Sequence, residues 1–166
     1  MKRIALSIVW SLFWLILEST LLKNIDIIFL TVLAVGFSMG IADGLAIVLI
    51  MGFMADAVSS TPWGVMLSLY LATFMAIRIA TSTIYIHSRL SQIIWTFIVS
   101  IAFLWARAGL LSLIYKNSAY IYINLLRFMP QALLNSILAI IVTPLFLWFI
   151  SLTWEKLFKP KDLVWN

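Results

Sequence analysis

The chain has 166 residues, of which 64% are hydrophobic and 10% charged, with no cysteine and a net charge of +5 from 11 basic and 6 acidic side chains. Soluble domains carry about 25% charged residues, and a water-soluble fold of this length has too little interior to hide so much apolar surface. The composition therefore excludes a soluble domain, and the lack of cysteine excludes disulfides, thiolate metal sites and cysteine nucleophiles; basic residues that punctuate apolar runs, instead of gathering on one polar face, do not describe a nucleic-acid surface.

A helix needs roughly 20 apolar residues to cross the hydrocarbon core, and that ruler divides the chain into six runs. Met1-Lys2-Arg3 precedes the first, near 4–22. It exceeds the ~7–15 residues of a signal-peptide core and no small-x-small cleavage site follows, so it reads as a retained span. Lys23-Asn24-Ile25-Asp26 then forms a short connection. Runs near 27–42 and 44–58 follow, parted only by Asp43-Gly44. One helix over both would overrun a bilayer, so the spacing predicts a tight helical hairpin.

Ser59-Ser60-Thr61-Pro62 ends the third run, because proline restricts the residue before it and opens the next helix well. The fourth lies near 63–86, closed by His87-Ser88-Arg89, and the fifth near 91–115. Lys116 to Met129 reads as the longest connection, with Pro130 opening a last span near 130–153. The expected fold is all-α: one polytopic transmembrane domain over 1–166 with six transmembrane helices.

Basic residues set its orientation. With both termini cytoplasmic, the inside holds Lys2, Arg3, Arg89, Lys156, Lys159 and Lys161, and the outside Lys23, Lys116 and Arg127. That obeys the positive-inside bias, and an even number of spans agrees with it. Trp10, Trp63, Trp95 and Trp154 fall near the expected span ends, where indole prefers the interface; Trp14, Trp105 and Trp148 lie deeper. Tyr115, Tyr120 and Tyr122 with Arg127 mark the long outer connection as interfacial.

Gly36, Gly40 and Gly44 recur at intervals of four. Such a bare face lets helices approach closely in lipid, where packing replaces the hydrophobic drive; it serves either another helix of the chain or a partner. Gly36-Phe37-Ser38-Met39-Gly40 also matches the G-x-S-x-G pattern of serine hydrolases. That motif needs a strand-to-helix elbow and a histidine partner, and here it lies within a span, with the lone His87 at a membrane boundary. We read it as a chance match, and expect no catalytic residues, no metal site and no cofactor.

Charges within the spans cost at least ~2.5 kcal/mol each near the bilayer centre unless paired or hydrated. At ~1.5 Å per residue from the cytoplasmic ends, Glu18 stands roughly 21 Å up the first span, Asp56 roughly 18 Å up the third and Arg107 roughly 24 Å up the fifth. These three are expected to cluster, with Arg107 neutralising Glu18, Asp56 or both. Arg78 is expected to pair with Asp43 at the cytoplasmic turn.

The stretch from Gly52-Phe53-Met54-Ala55-Asp56 through Pro62-Trp63-Gly64 resembles the signature region of MreD, the rod-shape-determining membrane protein family of bacteria. Gly52, Asp56 and Gly64 match at the family's spacing, with Pro62 in the intervening turn; Val48 and Ser60 stand where members often carry glycine. The likeness is residue-specific over Gly52–Gly64 and otherwise one of layout. It implies a non-enzymatic, multi-pass scaffold in the bacterial cytoplasmic membrane, serving cell shape and lateral peptidoglycan synthesis. Implied partners are an MreC-like single-span protein, through it the RodA glycosyltransferase and a penicillin-binding transpeptidase, MreB filaments through the complex, and membrane lipid.

A second class fits the same layout: the substrate-binding S component of an energy-coupling-factor vitamin importer, also a small six-helix bundle. Such a protein needs a polar pocket near the outer surface, which Glu18, Asp56 and Arg107 are placed to line. Against it stand the very short outer loops and the absence of an Ala-x-x-x-Ala face on the first span. An enzyme would need convergent acids, histidines or metal ligands, which a single histidine and dispersed carboxylates do not supply.

Overall fold

The computed structural model describes residues 9–10, 12–13, 26–59, 61–83, 89–117 and 119–155, those of 119–127, 150–155 and Arg89 by backbone alone. Five helices follow in order: α1 (Ile27–Ser38), α2 (Ile41–Val58), α3 (Val65–Thr83), α4 (Arg89–Tyr115) and α5 (Ala119–Glu155). Residues 9–10 and 12–13 are helical as well. Helix is what lipid demands of such runs, since every backbone group must find its partner within the segment. Four stretches are long and apolar enough to cross a membrane: Ile41–Val58, Val65–Thr83, Leu90–Tyr115 and Phe128–Phe149. The chain is thus an all-helical, polytopic membrane protein.

Helix α1 differs from the rest. Its 12 residues extend only about 18 Å, short of the ~30 Å hydrocarbon core. Yet Ile27 to Gly36 are all buried. α2, α3 and α5 pack around it, and Trp10 closes it from the N-terminal side, its indole N–H donating to Thr31 Oγ1 at 3.3 Å. Trp10 is only 5% exposed and packs on Phe146 and Phe149 at ring separations of 5.8 and 5.1 Å. The expected interfacial Trp10 is therefore a core residue, whereas Trp63 is 76% exposed at the start of α3.

The contacts give each helix its direction. Asp26 meets Tyr70 and Gly36 meets Ile77, so α1 runs parallel to α3. Gly44 meets Phe74 and Gly52 meets Leu67, so α2 runs antiparallel to both. α4 packs mainly on α5, antiparallel, with Trp105 and Phe128 rings 5.9 Å apart. Phe103 carries α4 into the core, where it meets Phe29 at 4.4 Å and stacks on Tyr70 at 5.7 Å.

Three boundaries correct the sequence reading. The hairpin turns at Met39-Gly40, both extended, and not at Asp43-Gly44. Asp43 instead sits in the first turn of α2, where the helix dipole favours a carboxylate, and Gly44 lies inside the helix under the Phe74 ring. The long connection from Lys116 to Met129 is absent. Lys116 ends α4 in a left-handed conformation (φ 50°), Asn117 N–H closes back on the Ser112 carbonyl at 3.1 Å, and α5 starts at Ala119. This is the usual way a helix terminates on its own last carbonyls. Pro130 accordingly lies inside α5, as does Pro144; membrane helices tolerate interior proline where neighbours satisfy the freed groups.

Candidate functional site

The polar residues of this apolar bundle gather at three places. The first is the α2–α3 hairpin. Asp56, only 2% exposed, lies near the end of α2 and aims its carboxylate at the start of α3. Oδ2 accepts the Gly64 N–H at 3.0 Å and the Leu67 N–H at 3.2 Å, and Oδ1 accepts the Met66 N–H at 2.9 Å. The first turn of any helix leaves N–H groups without partners, and its dipole favours an anion there. Asp56 supplies both needs from the neighbouring helix.

The matched glycines make that geometry possible. A Cβ on Gly52 would stand 2.8 Å from the Leu67 Cα, so only glycine lets α3 cross so close to Asp56. Gly64 takes φ +90°, a conformation disfavoured for residues with a Cβ. Between them, Ser59 and Thr61 hydroxyls lie 2.6 Å apart, and the Pro62 carbonyl accepts the Val65 N–H at 3.3 Å. Gly52, Asp56, Pro62 and Gly64 thus form one structural unit.

The second place is Asp26, which the sequence reading left in a loop. It is 7% exposed and caps α1. Oδ1 accepts the Phe29 N–H at 2.8 Å and the Tyr70 hydroxyl at 3.0 Å. Burial pushes the Asp26 carboxyl above its ordinary range, and the Phe29 N–H, the positive charge of Arg107 and the Tyr70 hydroxyl offset that only in part. A signal for it was present: an aspartate directly before a long apolar run is a helix-start signature. Asp26, Asp56 and Arg107 share one end of the bundle. Arg107 acts on Asp26, whereas the oxygens of Asp56 are taken by backbone N–H groups; the expected Arg107–Asp56 pair gives way to these partners. Glu18 lies outside the described residues.

At the opposite end Asp43 is exposed, and Arg78 turns elsewhere. One Arg78 guanidinium N–H donates to the Gly36 carbonyl at 3.4 Å, near the C-terminus of α1, where a cation complements the dipole. Its Nε is buried without a partner. The expected Asp43–Arg78 pair is thus replaced by a helix-end contact.

The other glycines divide. Cβ atoms on Gly36 and Gly44 would stand 3.0 Å from Ile77 and 2.6 Å from the Phe74 ring, whereas nothing lies within 4 Å of such an atom on Gly40 or Gly64. Gly36, Gly44 and Gly52 therefore all seat α3 of the same chain. Gly40 marks the hairpin turn and leaves its surface open.

The third place is a polar seam between α4 and α5. Gln92, Thr96 and Ser100 recur every fourth residue on α4, and the antiparallel pairing sets Ser100 level with Asn135. Both are buried, and Ser100 Oγ and Asn135 Oδ1 lack hydrogen-bond partners. Below them opens a cavity of about 370 Å³.

None of these places assembles a nucleophile with a base. Ser38 of the G-x-S-x-G match returns its hydroxyl to the Ala34 carbonyl, and His87 falls outside the described residues. Among the described residues no three His, Cys, Asp or Glu side chains converge as metal ligands. The chemistry on hand is hydrogen bonding and packing. Comparison with known protein families, with curated proteins and with solved structures gives no significant match.

Proposed function

We propose that the chain is a non-enzymatic membrane scaffold of the bacterial cell-elongation machinery, MreD-like, with six spans and both termini in the cytoplasm. The observation that carries this reading is the α2–α3 hairpin. The residues that bear the MreD resemblance, Gly52, Asp56 and Gly64, are those whose chemistry closes one tight unit. A chance likeness of composition has no reason to select three residues that depend on each other. Four long apolar helices, the short buried α1 and the helical residues around Trp10 also accommodate six segments, and the basic residues favour cytoplasmic ends. Such a protein works through helix faces and short turns, on an MreC-like single-span partner and, through it, on RodA and its transpeptidase.

Purification of the tagged chain from mild detergent tests the function. Recovery of a single-span partner with a periplasmic domain supports the scaffold. Recovery of paired ATPases with a coupling subunit instead assigns an importer's substrate-binding component. Orientation is tested separately, since the chain has no native cysteine. Single cysteines at Gly40 and Trp63 must react with impermeant maleimide from opposite sides of the membrane, Gly40 from the cytoplasm.

A further inference from the structure

The cavity beside the polar seam has a lining that no role above uses. Phe37 at the end of α1, Gln92, Ile93 and Thr96 of α4, and Ile140 and Thr143 of α5 form most of its wall. At about 370 Å³ it falls within the ~300–1,000 Å³ range of small-molecule sites. Ile140 and Leu147 at its rim are 50% and 40% exposed, so it opens sideways toward lipid.

Its polar groups both accept and donate: the Ile140 carbonyl and the Thr96 hydroxyl can accept, while the Gln92 amide and the Thr143 hydroxyl can also donate. Pro144 has no N–H, so the Ile140 carbonyl four residues earlier loses its helical donor. The Thr96 hydroxyl already donates to the Gln92 carbonyl at 2.7 Å, which leaves only its lone pairs to the cavity. The Thr143 hydroxyl and the Gln92 amide have no hydrogen-bond partner among the described residues. No lining residue is charged. An ion brought to this depth would have nothing to offset its desolvation, and an acceptor-only ligand would leave the Ile140 carbonyl unsatisfied.

We infer that this cavity binds an uncharged lipid alcohol, whose hydroxyl donates to the Ile140 carbonyl or Thr96 and accepts from the Gln92 amide or Thr143, and whose apolar body lies against Phe37, Ile93 and Leu147. The proline is the device that makes the site. It removes one backbone hydrogen-bond donor from α5 opposite Ile140, a residue that lines the pocket.

The test uses the full chain in nanodiscs of phosphatidylcholine, a lipid with no hydrogen-bond donor. Each is doped with dioleoylglycerol, with its 3-O-methyl ether or with oleyl alcohol, and bound lipid is read by native mass spectrometry. Retention of dioleoylglycerol at least about tenfold above the ether is expected, since one hydrogen bond worth ~1.4 kcal/mol gives that ratio. The oleyl alcohol arm separates a diacylglycerol site from one that takes any long-chain alcohol. Pro144→Ala restores an N–H to the Ile140 carbonyl, and Thr143→Val removes a polar wall group without disturbing the backbone. A severalfold loss of retention in either supports the site. Equal retention of alcohol and ether, or unchanged retention in both variants, overturns it.

Discussion

Replacing Asp56 measures how far the α2–α3 hairpin depends on one carboxylate. Asp56→Ala leaves three N–H groups of the α3 start without acceptors: those of Gly64, Met66 and Leu67. Met66 is 5% exposed, and a buried donor left unpaired costs about 1–3 kcal/mol. Gly64 is exposed, so its N–H regains water at little cost. Loss of a cap alone costs ~0.5–2 kcal/mol. Together these give a destabilisation of about 3 kcal/mol, or more than a hundredfold in the unfolding equilibrium at ~1.4 kcal/mol per tenfold. Asp56→Asn keeps one acceptor oxygen but loses the charge and the second acceptor, so roughly half that loss is expected. Equilibrium unfolding in mixed micelles, with dodecyl sulfate as titrant and tryptophan fluorescence as readout, orders wild type above Asn above Ala. If both variants stay within about 0.5 kcal/mol of wild type, an error smaller than any single cap, the carboxylate does not hold the hairpin and the reading of the motif fails.

Three further outcomes are expected. Gly52→Ala should destabilise severely, because its Cβ would meet the Leu67 backbone, while Gly40→Ser should be neutral or stabilise by about 0.3 kcal/mol by adding a side-chain cap to α2; the same unfolding titration compares them, and equal effects would contradict the packing. Tyr70→Phe removes the hydroxyl that donates to Asp26 and should cost about 1 kcal/mol, the typical net worth of one buried hydrogen bond, with melting in detergent as the check. Asn135→Leu replaces a buried amide whose Oδ1 has no partner by an apolar group of similar volume, and should raise the melting temperature; a lowered one would mean that the amide is satisfied by bound water.

The residues legible in advance were those whose role is local. Asp56 stood out as a charge within an apolar run, and Gly52 and Gly64 through the resemblance of that stretch to the MreD signature. The charge pairings were not legible. Estimated depth placed Asp56 and Arg107 in the same half of the bundle, but depth along a helix says nothing of which way a side chain turns. The N–H groups that occupy Asp56 belong to backbone, which no residue-type pattern displays. Asp26 looked like a loop residue because the run behind it was assumed to span the bilayer, and only the shortness of α1 carries its cap into the core.

Composition and run length alone determined that this chain is helical and lives in lipid, since an apolar excess of this size admits no other solvent and lipid admits no unpaired backbone. Tertiary structure decided where the helices break and which polar groups meet. Met39-Gly40 turns the chain and leaves Gly44 inside α2, packed under Phe74, and Lys116 ends α4 early enough that Pro130 falls inside α5. Those choices depend on atoms distant in sequence, and a pattern read along one chain cannot contain them.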